Sequence, residues 1–231
     1  MAKALTDHWR TVFGHASCND SLLNSWFAEL FDKKEDGSWN TGIPGCDDPR
    51  WKILRKHMKK AIKFAKNSMP GPDGVPALAY KCAGDLAVDT LMGVLEVLGS
   101  PEAEATLTAA YEHMGLEHAH AFNESILCCL PKKPSGEDGM GGKFYKAEAT
   151  RPLNISNMDN RLVASAVRLA WEPMLEKWIS QIQRGFLKGR QMLHNIIDID
   201  WESMKVSLKH PHGVLILFDF RAAFPSVSHE F

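Results

Sequence analysis

Cysteine is sparse in this chain and badly spaced for any scaffold. Five are present among 231 residues, at Cys18, Cys46, Cys82, Cys128 and Cys129, and no two form a C-x-x-C pair. An odd count with an adjacent pair excludes a disulfide framework and fits no zinc module, which points to a reduced, intracellular setting in cytoplasm or nucleus rather than secretion. Long apolar runs are missing too. No stretch approaches the roughly 18 residues a membrane helix needs, and residues 1–20 carry Lys3, Asp7, His8 and Arg10 where a signal peptide would be apolar. The expectation is an unexported chain with no membrane partner. An excess of one charge is the third absence: 27 basic side chains stand against 28 acidic ones, a net of −1 with histidine neutral. This argues against a generic polyanion binder that works by total charge, so any anion site must come from local clustering.

What is present is enough apolar material to fold. At 45% hydrophobic, the chain can bury one core of ordinary size or two small ones. A helix is expected over residues 22–31, followed by a loop through Gly37, Gly42, Pro44 and Gly45. Residues 50–66, RWKILRKHMKKAIKFAK, hold eight Lys or Arg and no acid, with Trp51, Leu54, Met58, Ile62 and Ala65 at three- and four-residue spacing. That pattern predicts an amphipathic helix with a cationic outer face, suited to tracking phosphates or simply to keeping the helix soluble. Next comes Pro70-Gly71-Pro72-Asp73-Gly74, a rigid turn in which prolines fix φ, glycines admit positive φ, and Asp73 can bond the backbone two residues on. Val75-Pro76 then leads into a helix. Composition suits either a placed functional loop or a bare turn.

Helices are expected over 85–98 and 101–114, with Gly99-Ser100 between them and Pro101 at a starting position. Residues 125–130 (SILCCL) read as a strand, 150–155 (TRPLNI) as its returning partner, and Gly-rich 135–142 as a mobile tip. The base of this hairpin would gather Lys132, Lys133 and Arg151, either as a polyphosphate site or as three surface charges. Residues 157–179 predict a long helix with Leu162, Val163, Ala166 and Ala170 on its apolar stripe and a kink at Pro173. Gly185 and Gly189 loosen the loop that follows, and Arg184, Lys188 and Arg190 charge it before a helical pattern resumes over 191–208. Such a loop can hold backbone phosphates. His194, His210 and His212 have no carboxylate spaced with them as a metal site needs, and read as surface residues.

The last residues, 214–231, read VLILFDFRAAFPSVSHEF. Val214 to Phe218 suit a short strand covered on both faces. Asp219 ends it, and a carboxylate at the edge of a core needs a partner, hydrogen bonds or a metal. Beyond the small Ala222 and Ala223, Phe224 is placed by Pro225 and the Ser226–Ser228 turn chemistry close to where Asp219 points. Taken alone, a carboxylate and a ring at a strand end fit a capped strand end with a core Phe better than a catalytic pair.

Taken in order, PGPDGVP (70–76), CLPKKP (129–134), RPLNI (151–155), QRGFLKGR (183–190) and FDFRAAFPSV (218–227) resemble a reverse transcriptase of the non-long-terminal-repeat, LINE-like retrotransposon type, with group II intron enzymes as relatives. The resemblance implies an α+β, right-hand polymerase fold. A helical extension would occupy 1–60, mostly helical fingers with the β-hairpin 61–212, and the first catalytic strand of an incomplete palm 213–231. It implies an RNA-directed DNA polymerase, a nucleotidyltransferase that takes an RNA template, a DNA primer, deoxynucleoside triphosphates and Mg2+, with no small-molecule cofactor. Asp219 would bind both metal ions and the Phe220 carbonyl one of them; the ions activate the primer 3′ hydroxyl and offset charge on the attacked phosphoryl group. Phe224, beside Ala223 at the nucleotide, falls on the aromatic position that excludes a 2′ hydroxyl. Arg151 would contact the triphosphate, with Lys132 or Lys133 as its companion, a choice that the inserted residues 135–149 leave open. Nucleic acid would meet Gly71, Asp73 and Gly74 in one loop and Gly185, Phe186, Lys188, Gly189 and Arg190 in the other.

Two departures from the family pattern matter. Pro225 stands where relatives often have Asp, at a position that is not the invariant metal ligand. The paired aspartates of the second half of the palm would follow Phe231, so these residues are expected to lack polymerase activity by themselves: one carboxylate cannot hold two cations about 3.5–4 Å apart. An unpartnered palm edge and poor solubility are expected for the same reason. Two other readings are a non-enzymatic nucleic-acid-binding remnant, keeping the 50–66 face and the GFLKGR loop, and a helical interaction domain in which Asp219 only caps a strand.

Overall fold

Eight α-helices and two small antiparallel sheets are seen among the residues that the computed structural model describes: 2–14, 19–35, 37–38, 40–45, 47–115, 121–219, 223 and 227. The fold class is α+β. Helix α1 (Ala2–Val12) precedes α2 (Asp20–Leu30), which begins where Asn19 Oδ1 accepts the Leu22 N–H at 3.0 Å, an N-cap that satisfies one orphan donor. The cationic segment is shorter than its periodicity suggests. Pro49–Trp51 makes one 3₁₀ turn, Lys52 is extended, and only then does α3 (Arg55–Phe64) start. His57 Nδ1 accepts the Leu54 N–H at 3.1 Å, closing the first turn of α3 from within.

Helices α4 (Ala77–Ala83) and α5 (Asp85–Leu98) follow where their signals put them, and α6 (Ala103–His113) starts two residues after Pro101, which lies in the preceding turn. Strand β1 (Ser125–Pro131) leads to a second, smaller hairpin of β2 (Gly136–Glu137) and β3 (Lys143–Phe144), and the chain returns through β4 (Thr150–Ser156). The Gly-rich tip is therefore built rather than loose. Asp138 Oδ1 accepts the N–H groups of Met140 (3.0 Å) and Gly142 (2.6 Å), and Ser135 N–H donates to Phe144 O at 2.8 Å. Helices α7 (Met158–Trp178) and α8 (Leu193–Lys209) complete the chain, α7 running through Pro173.

Contacts divide the chain into two compact units, one of Met1–Thr11 with Cys46–Glu172, the other of Val12–Gly45 with Pro173–Phe231. The division inside α7 falls at the proline, which cannot donate to the helix ladder. In the first unit, Met58 and Ile62 of α3, Val88 and Leu91 of α5, and Leu162 and Ala166 of α7 form the centre of the core. These are the apolar stripes the sequence shows, although Leu54 stays exposed. Helix α1 joins this unit through Trp9, which is 4% exposed and donates its indole N–H to Thr150 Oγ1 at 3.2 Å. In the second unit, the Trp178 indole donates to Thr41 O at 2.6 Å.

A further expectation fails. Val214 to Phe218 form no strand and have no ladder partner among the described residues, and their side chains are exposed, from 58% at Leu215 to 85% at Phe218. An apolar run records a tendency to be covered. A strand also needs a neighbour to accept its hydrogen bonds.

Candidate nucleic-acid interface

The 70–76 loop is assembled against the start of α7. Asp73 Oδ1 accepts the Val75 N–H at 3.0 Å, the Asx bond its spacing predicts, and Gly74 N–H donates to Gly71 O at 3.1 Å. Asn157, at the junction of β4 and α7, accepts the Asp73 N–H through Oδ1 at 3.1 Å. Arg161, one turn on, donates to Ser68 Oγ (2.9 Å) and to Met69 O (2.8 Å). Gly71 is buried, and a Cβ there would lie 2.5 Å from the backbone N and 2.6 Å from the Cα of Asn157. The glycine is thus required by close approach, and Gly74, at φ +70°, by conformation. Asn157 and Arg161 were not legible as partners of this loop; the only signal was an Asn at a strand-to-helix junction. The surroundings are acidic. Burial raises the Asp159 carboxyl, with Asp73 adding to it, and burial pushes the Tyr80 phenol up to about 12, helped by Asp159 and Asp73.

The β1–β4 ribbon settles how its cations are arranged. Leu130 lies opposite Arg151 and Pro131 opposite Thr150, and Lys132 N–H donates to Ala149 O at 2.9 Å, carrying the ladder one step further. Directly opposed residues share a face and alternate residues return to it. Lys132 thus falls on the Arg151 face, diagonal to it, whereas Lys133 lies in a bend beyond the paired segment. Both lysines and Arg151 are exposed. At the far end of the same ribbon, Ser125 pairs with Ser156, immediately before the Asn157 that holds the 70–76 loop.

In the second unit, the 183–190 loop uses its arginines internally. Arg190 donates to the carbonyls of Glu176 (2.8 Å) in the last turn of α7 and of Ile179 (3.1 Å), Ser180 (2.5 Å) and Gln183 (2.7 Å) just beyond it, which ties the loop to the end of that helix. Arg184 pairs with Asp198 of α8 at 2.7 Å. Lys188 is exposed and has no ion pair among the described residues, Gly189 has φ +77°, and Phe186 is 95% exposed. Part of the cationic α3 face is likewise engaged: Arg55 bonds Asp85 (3.1 Å) and Asp89, and Lys59 bonds Asp85 (2.8 Å), which lowers the Asp85 carboxyl, Lys59 contributing most.

Asp219 is exposed after the irregular 214–218 segment, Ala223 lies in a turn, and Phe220 and Phe224 fall outside the described residues. No group of three His, Cys, Asp or Glu side chains suited to a metal is gathered among the described residues. Asp219 by itself does not make a two-ion site. No helix among the described residues is long and apolar enough to cross a membrane. No family model matches the chain, and no curated protein matches its sequence.

Proposed function

We propose that this chain carries the fingers of an RNA-directed DNA polymerase of the non-long-terminal-repeat retrotransposon type, with Asp219 at the start of its palm, working in the complete protein on an RNA template, a DNA primer and deoxynucleoside triphosphates. The observation that carries the reading is the β1–β4 ribbon. It has Arg151 and Lys132 on one face at one end and the Asn157-held PGPDG loop at the other, so that three of the five motifs join one element. Arg151, with its planar fork, suits a triphosphate oxygen pair, and Lys132 rather than Lys133 is its companion. Lys56 and Lys60 of α3 and Lys188 are exposed cations outside the ion pairs of Arg55, Lys59 and Arg184 and suit nucleic-acid phosphates.

Fluorescence anisotropy of the 231-residue chain with an RNA–DNA hybrid tests this. Binding should weaken steeply with salt, and Lys56→Gln with Lys60→Gln should reduce the salt slope by about 2. Binding that ignores salt, or none, contradicts the reading. Salt-dependent binding with no response to a deoxynucleoside triphosphate favours the nucleic-acid-binding remnant.

A further inference from the structure

We propose that Phe186 is a stacking platform for one unpaired base of a single-stranded nucleic acid, with Lys188 on the neighbouring phosphate. The proposal rests on the nucleic-acid reading above and assigns this loop its chemistry. Phe186 has φ +64°, the one positive value at a non-glycine residue among the described residues. A bulky side chain there is strained, and Phe lacks the local side-chain hydrogen bond that lets Asn or Asp tolerate it. Burial does not offset that strain, because the ring is 95% exposed. Both features oppose folding, and an observed outlier of this kind points to function.

The frame around the ring is firm. Arg190 ties the loop to four carbonyls, Arg184 to Asp198, and Gln183 Nε2 donates to Gly185 O at 3.2 Å. Since the two arginines are engaged internally, the groups left to meet a ligand are a flat apolar ring and one ammonium. That pair fits single-stranded nucleic acid, where aromatic faces take bases of any sequence and a lysine takes the backbone. A Cβ built on Gly189 meets nothing within 4 Å, so a sugar-phosphate chain has room to approach the loop backbone.

The test uses the full chain and an oligouridine carrying one 2-aminopurine. Wild type should bind and quench the 2-aminopurine, the signature of stacking. Phe186→Ala should lose the quench and weaken binding by roughly 5- to 100-fold. Phe186→Gly relieves the backbone, so it should melt no lower than wild type while losing the quench equally, an outcome a structural role for the ring does not give. Lys188→Gln should keep the quench and flatten the salt dependence. Wild type that fails to bind overturns both this proposal and the reading it rests on. Binding whose quench survives Phe186→Ala, or a Phe186→Gly chain that melts lower, overturns the stacking alone.

Discussion

Gly71 and Gly74 sit three residues apart and are glycine for different reasons, which mutation separates. Gly71→Ala drives a methyl group into the Asn157 backbone and should cost about 1–3 kcal/mol, whereas Gly74→Ala meets open space and should cost about 1 kcal/mol from its positive φ alone. Thermal melts check the order, and equal losses would show that Asn157 gives way. His57 offers a pH test. Burial first, then Lys56 and Lys60, hold its imidazole below the ordinary value, and its neutral Nδ1 accepts the Leu54 N–H. Because the folded value is depressed, the contribution is whole above the unfolded value near 6.5 and is lost as pH falls below it. His57→Ala should therefore flatten the melting profile between pH 7 and 5, and an unchanged profile would remove His57 from the account. Residue type was legible here where the partner was local, as with Asp73 and Val75. It was not legible where the partner came from 84 residues away, as with Asn157 and Asp73.

Helices were the most legible elements, because a buried stripe repeats every turn and α5 and α7 each bury several residues of theirs. The β1–β4 pairing was legible as well, since two short apolar segments flank a glycine-rich tip. Failures came where an element depends on something outside itself. Val214 to Phe218 have the composition of a strand and no neighbour to make them one among the described residues. Charge misled in a similar way: the 183–190 loop places two of its three cations, Arg184 and Arg190, and helix α3 two of its five, Arg55 and Lys59, on internal acceptors. Arg190 illustrates the energetics at this scale. Arg190→Met leaves the carbonyls of Glu176 in the last turn of α7 and of Ile179, Ser180 and Gln183 beyond it without that donor, and should lower stability by about 2 kcal/mol, near the value for hydrogen bonds from a charged group. For a chain of this size that is a melting shift of roughly 4–8 °C, and a shift under about 1 °C would mean that water serves those carbonyls as well.

At the scale of the whole molecule, what periodicity cannot report is docking between distant segments. Trp9 and Thr150 are 141 positions apart, and nothing in either neighbourhood announces that α1 belongs with the ribbon. The α+β class followed from the elements, and the two compact units did not follow from composition, since the chain passes between them three times, after Thr11 in α1, after Gly45 in the Gly- and Pro-containing loop, and after Glu172 in α7. The polymerase reading depends on motif order together with the face that Lys132 shares with Arg151. The most direct measurement is photolabelling of the chain, bound to an RNA–DNA hybrid with Mg2+, by a photoreactive deoxynucleoside triphosphate, followed by peptide mapping. The account predicts label on the β1–β4 ribbon that falls at least tenfold in Arg151→Ala and in Lys132→Gln, with little change in Lys133→Gln. Label that lies elsewhere, or that is indifferent to Arg151, would contradict it.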